Sequence, residues 1–164
     1  MKSEPAAVQE FLVCRRFAMV GVSRNPRHFS RSLLRELVRR GYDPLPVNPN
    51  LTAIEGRPCF AGVAKLDPPP AAAMIMVGAR NLEKAVQGCL DAGIARIWLV
   101  RSPGDAAARA RAVQLCRERP AVVIAGECPL LYLDSGFPHN FHRWLNNLFR
   151  ARGEKITPCE CPTL

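Results

Sequence analysis

Strand-like apolar segments alternate with helical segments along most of this chain, and no other feature constrains its fold as strongly. The segment AAAMIMV, residues 71–77, is apolar throughout, which is typical of a central parallel strand covered on both faces. The other strand segments are FAMVGV, DPLPVN, ARIWLV and AVVIAG. This alternation predicts an α/β fold, a doubly wound, parallel five-stranded sheet with helices on both faces.

Capping and turn residues mark where the predicted helices begin and end. Ser30 is expected to cap the helix after the first strand, and Gly41 to end it. Asn81 is expected to open a later helix that Gly93 closes. The apolar stripe of the earlier helix comprises Leu33, Leu34, Leu37 and Val38. Further helices are predicted over residues 5–14, 105–119 and 138–150.

Length and composition favour a single domain. The 164 residues, 48% of them hydrophobic, can bury one good core and leave little for a second. We expect this domain over residues 1–151, with its core in 10–131, followed by a flexible tail over 152–164. The 23 Lys and Arg residues against 14 Asp and Glu give a net charge of +9. Such a charge attracts phosphate-bearing ligands, nucleic acid or anionic surfaces. The net charge does not indicate which of these the protein binds.

The cysteines favour a reducing compartment. There are seven of them, an odd number, and four lie in apolar runs where buried free thiols are common. The N-terminal segment lacks a long apolar core, and no apolar run has the length of a membrane span. Cys159 and Cys161 lack the second pair of ligands that a zinc site needs. We therefore expect a cytoplasmic protein without a metal site or a membrane partner.

The loop after the first strand has the features of an anion site. Gly21 allows a tight turn, Ser23 offers a hydroxyl, and the following helix presents unpaired backbone N–H groups. We expect a phosphate group to be the ligand of this loop. The candidates for additional charged contacts, of which one or two are expected to touch the ligand, are Arg24, Arg27, His28 and Arg31.

The end of the second strand argues against an NAD site. NAD-binding units usually place an acidic residue there for the ribose hydroxyls, whereas this chain has PVNPN. The first loop also lacks the G-x-G-x-x-G fingerprint. Asn48 can offer an amide to a ribose or base edge, and Pro49 fixes a turn that adenine could lie against. A simple Asn-Pro turn without a ligand is the alternative interpretation.

Several motifs in combination resemble a known family. They are VGVSRNP, GYDPLPVNPN, IEGRPCF, GARNLEKAVQGCLDAGIARIWLVRSPG and GECPLL. The chain resembles the stand-alone CoA-binding domain proteins, which are related to the CoA-binding domains of succinyl-CoA synthetase and of NDP-forming acyl-CoA synthetases. The resemblance covers residues 10–131. It implies a Rossmann-like fold with coenzyme A, or an acyl-CoA, lying across the carboxyl ends of the strands.

The resemblance also implies which residues bind CoA. In chain order they are Gly21, Val22, Ser23, Arg24, Asn25, Pro26, Asn48, Pro49, Asn50, Ala79, Arg80, Arg101 and Cys128. The first six form the loop at the pyrophosphate, the next three line the adenosine half, and the following two cover the other side of the nucleotide. Arg101 would bring a charge into the pantetheine region, and Cys128 would stand near the CoA thiol.

The sequence favours a non-catalytic CoA or acyl-CoA binding module while leaving catalysis open. The chain is too short for the ligase and nucleotide-activating domains of the synthetases. Glu127 and Cys128 are candidates for thiol exchange, but a buried, inert Cys128 is the preferred interpretation. Two other classes stay open. An NAD(P)-type oxidoreductase is disfavoured by the missing fingerprint, and a nucleic-acid binder because basic and aromatic residues do not interleave on a strand.

The C-terminal extension is predicted to serve packing. The extension has Phe137, Phe141, Trp144 and Leu148 on one helical stripe, and the helix is predicted over 138–150. This stripe would cover the core of the domain or the interface of a homodimer.

Overall fold

The computed structural model describes residues 4–100 and 106–133. The chain divides into two units, Met1–Tyr132 and Leu133–Leu164, and the elements described below belong to the first. Arg101, the helix predicted at 138–150 with its homodimer interface, and the tail at 152–164 lie outside the described residues. The expected single domain over 1–151 therefore stays a prediction.

Seven strands lie within the described residues. In chain order they are β1 Arg16–Val20, β2 Asp43–Val47, β3 Ala53–Ile54, β4 Arg57–Pro58, β5 Ala72–Ile75, β6 Arg96–Leu99 and β7 Val122–Ala125. All except β3 and β4 form one parallel sheet in the order β2-β1-β5-β6-β7. The five predicted strands and their parallel arrangement are confirmed.

Helices cover both faces of this sheet. In chain order they are α1 Glu4–Val13, α2 Phe29–Arg39, α3 Ala79–Asp91, α4 Ala106–Arg117 and α5 Pro129–Tyr132. On one face, the ring of Phe11 in α1 lies 5.1 Å from that of Phe17 and 5.2 Å from that of Trp98. Successive strand residues face opposite ways, so Ala18 and Ile97 join the core on the other face, with residues of α3 and α4. The predicted doubly wound fold is confirmed.

The helix ends differ in part from those predicted. Gly41 and Gly93 follow the last residues of α2 and α3 with φ of 79° and 77°, which confirms both predicted stops. Ser30 is wrong as a cap, because His28 caps α2 and its side chain accepts the Ser30 N–H. Asn81 is likewise wrong, since α3 is capped by Gly78. Val38 does not belong to the buried stripe of α2, because it is 37% exposed.

The segment between β2 and β5, for which the sequence predicted neither a strand nor a helix, contains regular structure. β3 and β4 pair antiparallel as a hairpin, and Val63–Lys65 forms a short 3-10 helix. The two residues between the strands, Glu55 and Gly56, have φ of 49° and 71°, as a tight hairpin turn requires. The hairpin begins after the turn that follows β2, and it places Glu55 beside α2.

The described cysteines are free thiols, and three of them lie in the core. Cys59, Cys89 and Cys116 are buried. Burial raises the pKa of Cys89 to about 12 and that of Cys116 to about 11, so both thiols are protonated at neutral pH. Within residues 4–100 and 106–133, no helix is long and apolar enough to cross a membrane.

Candidate functional site

The candidate site lies at the carboxyl edge of the sheet, where the order of the strands reverses. β2 lies to one side of β1, while β5, β6 and β7 lie to the other. The segments that leave β1 and β5 at this edge therefore border the switch point, which is where ligands of open α/β sheets bind. α2 and α3 begin at the same edge and present their N-terminal N–H groups there.

Gly21 occupies the point where β1 comes closest to the end of β5. Its φ of 91° disfavours any residue with a side chain. A Cβ atom at this position would lie 2.7 Å from Val77 Cγ1 and 2.8 Å from the Met76 carbonyl oxygen. Packing between neighbouring strands is therefore sufficient to explain this glycine, independently of any ligand.

The loop after Gly21 is held by its own side chains. Ser23 N–H donates to Ser30 Oγ at 3.0 Å, and Asn25 N–H donates to Ser23 Oγ at 3.2 Å. Arg27 N–H donates to Asn25 Oδ1 at 3.0 Å. His28 Nδ1 accepts the Ser30 N–H and lies 2.9 Å from Ser30 Oγ. Ser30, which is fully buried, therefore connects the start of the loop to the N-cap residue of α2 through hydrogen bonds.

Asn48 joins the loop after β2 to the loop after β1. Its Nδ2 donates to the Val22 carbonyl at 2.8 Å, and its Oδ1 accepts the Asn50 N–H at 2.9 Å. The predicted Asn-Pro turn is present, with Pro49 and Asn50 exposed beyond it. The Asn48 side chain thus sets the spacing of two loops that the sequence assigned to the same ligand.

Arg31, on the first turn of α2, pairs with the hairpin. Its Nε and Nη2 donate to Glu55 Oε1 at 2.8 and 2.7 Å, and Arg35 Nη1 donates to the same oxygen at 2.8 Å. Arg31 Nη1 also donates to the carbonyls of Ser23 and Arg24, at 3.3 and 3.4 Å. The hydrogen bond from Arg31 lowers the pKa of Glu55 below its ordinary value despite the opposing effect of burial.

Three arginines at this edge have no acidic partner within residues 4–100 and 106–133. They are Arg24, Arg27 and Arg80, and all three are exposed. Arg24 and Arg27 lie in the loop that precedes α2, and Arg80 is in the first turn of α3. Their charges add to the positive ends of the two helices. The edge is consequently suited to an anion with several charges.

Cys128 follows β7, two strands away from β5 at the same edge. Burial raises the pKa of its thiol, although the backbone of Leu130 and Leu131 acts in the opposite direction. Its neighbour Glu127 accepts a hydrogen bond from the Tyr132 hydroxyl at 3.2 Å, while the Glu127 carbonyl accepts the Trp98 indole N–H at 3.1 Å. A protonated thiol beside two structural contacts is a poor nucleophile.

Most of the predicted site residues therefore share one edge. The loop from Gly21 to Pro26, the turn from Asn48 to Asn50 and the helix start at Ala79 and Arg80 all follow strands β1, β2 and β5, which are neighbours in the sheet. Arg101 lies outside the described residues. Sequence reasoning missed Glu55, whose contact with Arg31 joins residues 24 positions apart. Among the residues that the structure describes, no group of three or more His, Cys, Asp or Glu side chains could hold a metal ion.

Fold and edge together define a class of protein, a doubly wound α/β domain with exposed arginines at its switch point. The chain belongs to the CoA binding domain family, whose model matches residues 15–134. This match confirms the family that the motifs predicted. No curated protein matches the chain.

Several solved structures share this fold. A hypothetical protein from Pyrococcus horikoshii OT3 superposes with a TM-score of 0.69 at 20% identity, over 78% of this chain and 87% of that chain. A conserved hypothetical protein from Pyrococcus furiosus gives 0.64 at 25% identity, over 72% and 98%. The dinucleotide forming acetyl-coenzyme A synthetase 1 of Ca. Korarchaeum cryptofilum gives 0.60 at 22% identity, over 66% of this chain and 25% of that chain.

Proposed function

We propose that this protein is a non-catalytic CoA or acyl-CoA binding protein that holds the CoA nucleotide at the carboxyl ends of β1, β2 and β5. One observation carries the proposal. Arg24 and Arg27 lie in the loop before α2, and Arg80 lies in the first turn of α3, at the switch point of a chain in the CoA binding domain family; none of the three has an acidic partner among the described residues. CoA carries a diphosphate and a ribose phosphate, so its charge fits this edge.

The nucleotide would lie across two loops. Its diphosphate would approach the backbone from Gly21 to Ser23, where the N-terminus of α2 favours negative charge. Its adenosine half would rest on the exposed Pro49 and Asn50, with Asn48 holding the turn that carries them. Arg80 would close the opposite side from the first turn of α3.

The residue expected near the thiol of CoA favours binding without catalysis. Cys128 is a nucleophile that the family resemblance places near the CoA thiol, and burial raises its pKa. At neutral pH the side chain is therefore a thiol and not the thiolate that attacks a disulfide or a thioester. Cys128 would accordingly leave an acyl group on CoA intact.

Calorimetric titration tests the proposed ligand. We expect CoA to bind and NAD, at equal concentration, to bind at least about tenfold more weakly, because the chain lacks the acidic residue that holds the ribose hydroxyls of NAD. Equal affinity for the two ligands, or binding of NAD only, would contradict the proposal.

A pair of variants tests the position of the site. Arg24→Ala with Arg80→Ala removes two of the three unpaired charges, and we expect CoA to bind at least about tenfold more weakly, since an exposed charge pair at about 4 Å contributes roughly 1 kcal/mol or more. Arg117→Ala with Arg119→Ala is the matched control, because it removes the same number of charges and both residues are exposed at or just beyond the far end of α4. If both variants lower the affinity for CoA equally, binding depends on the net charge of the protein and the site lies elsewhere.

A further inference from the structure

The Arg31 guanidinium connects the β3–β4 hairpin to the loop that begins the candidate site. Two of its nitrogens bind Glu55, and the third reaches the carbonyl oxygens of Ser23 and Arg24. The Arg31 side chain is only 14% exposed, and Glu55 is the more exposed partner, at 26%. A planar guanidinium can make both sets of bonds at once because its donors are fixed in one plane.

The contact fixes the orientation of a peptide group in the loop. In a planar trans peptide the carbonyl of one residue and the N–H of the next point in opposite directions. Since the Ser23 carbonyl points toward Arg31, the Arg24 N–H points away from it. The Asn25 N–H, which follows the Arg24 carbonyl, is in turn bound by Ser23 Oγ. The backbone of Ser23 and Arg24 is therefore held from both sides.

We propose that Glu55 is a positioning residue for the CoA site: by holding Arg31, it fixes the backbone of Ser23 and Arg24 in the conformation that receives the ligand. This inference rests on the proposed function. Glu55 lies in the turn of the hairpin with a φ of 49°, and the paired strands β3 and β4 on either side of the turn determine where its side chain begins.

Charge and positioning predict opposite effects when Glu55 is neutralised. Glu55→Gln makes the protein more positive near the site, so electrostatics by itself would strengthen the binding of an anion. Positioning predicts the reverse, because the neutral amide oxygen binds Arg31 more weakly than Glu55 Oε1 does, and Arg31 then holds the Ser23 and Arg24 carbonyls less firmly. We expect Glu55→Gln to weaken CoA binding by about tenfold, the scale of losing hydrogen bonds between charged groups.

Two further variants separate positioning from charge and from general damage. Glu36→Gln is the matched control. Like Glu55, Glu36 accepts hydrogen bonds from two arginines, Arg39 and Arg40, but it lies toward the other end of α2. It changes the net charge equally and should leave CoA affinity within about twofold. Arg31→Lys keeps the charge but cannot bind Glu55 and both carbonyls together, so it should behave like Glu55→Gln.

Amide hydrogen exchange of the ligand-free protein gives a second readout. The bonded loop amides are those of Ser23, Asn25, Arg27 and His28. In Glu55→Gln we expect them to exchange several-fold faster, with no change in Glu36→Gln. Circular dichroism and urea unfolding confirm that each variant is folded.

The combined results decide between the outcomes. Weaker CoA binding together with faster loop exchange, in Glu55→Gln and Arg31→Lys but not in Glu36→Gln, supports the positioning role. Unchanged or tighter CoA binding by Glu55→Gln overturns it. If the unaltered protein does not bind CoA, the proposed function fails; exchange then still tests the contact, and unchanged loop exchange in Glu55→Gln overturns its role in fixing the loop as well.

Discussion

Gly21 meets a packing requirement at the place where we propose that the ligand binds. Its backbone has a positive φ, and a Cβ atom would collide with Met76 and Val77. A charged substitution at Gly21 would therefore disturb the junction of β1 and β5 whether or not a ligand binds there. The arginines and Glu55 are the better positions for testing the site, since their side chains lie outside this junction.

The packing role of Gly21 predicts an unequal pair of alanine substitutions. Gly41→Ala should lower the free energy of unfolding by about 1 kcal/mol, the strain of a side chain at a positive φ. No other contact adds to this strain, because nothing lies within 4 Å of the Cβ position. Gly21→Ala adds contacts of 2.7 to 2.9 Å, two of them with backbone atoms, and should cost at least about 2 kcal/mol more. Urea unfolding measures both; equal losses would contradict the crowding at Gly21.

Individual residues were predictable from sequence only where the chemistry is local. Asn48 and Pro49 form the turn that an Asn-Pro pair favours, and Gly21 forms the turn expected of it. The second bond of Asn48, to Val22, and the pairing of Glu55 with Arg31 depend on tertiary structure. Neither partner is near in sequence, so no spacing rule indicates these contacts.

At the scale of elements, helix α2 provides most of the contacts that position the loops of the candidate site. Its start is fixed by His28 and Ser30, its first turn by Arg31, and its end by Gly41, whose N–H donates to Val38 while Tyr42 N–H donates to Leu37. Sequence predicted the stop but misplaced the start, because a serine is a common cap and an imidazole acceptor two residues earlier is not. The hairpin of β3 and β4 was missed because two-residue strands show no periodicity.

The last turns of α2 should make stability depend on pH. Hydrogen bonding by Arg39, followed by Arg40, lowers the pKa of Glu36 from 4.5 to about 2. A lowered pKa contributes stability that is present above pH 4.5 and is lost as the pH falls toward 2. This shift corresponds to about 3 kcal/mol, but Arg39 is 63% exposed, so solvent screening reduces the expected contribution to about 1 kcal/mol.

Urea unfolding of the unaltered protein and of Glu36→Gln, between pH 7 and pH 2, measures this contribution. The unaltered protein should be the more stable at pH 7, and the difference should shrink as Glu36 becomes protonated below pH 4.5. A difference that stays constant over the whole range would contradict an ion pair as its cause.

At the scale of the whole molecule, the parallel sheet brings separate loops to one edge. The alternation of apolar and helical segments predicted that sheet, and parallel strands necessarily have their carboxyl ends together. Which loops border the switch point depends on the strand order β2-β1-β5-β6-β7. The net charge of +9 indicated an anionic partner but not its location. Arginines at that edge without an acidic partner in the described part of the chain, and the match to the CoA binding domain family, now favour a compact nucleotide.

Mass spectrometry under non-denaturing conditions tests the central claim, that this chain binds CoA as a ligand, most directly. We predict that the protein as purified, or after addition of excess CoA, shows the mass of the chain plus CoA or an acyl-CoA, and that the added mass is much reduced in Arg24→Ala with Arg80→Ala. A protein that stays at the mass of the chain in both conditions, or that gains NAD and not CoA, would contradict the claim.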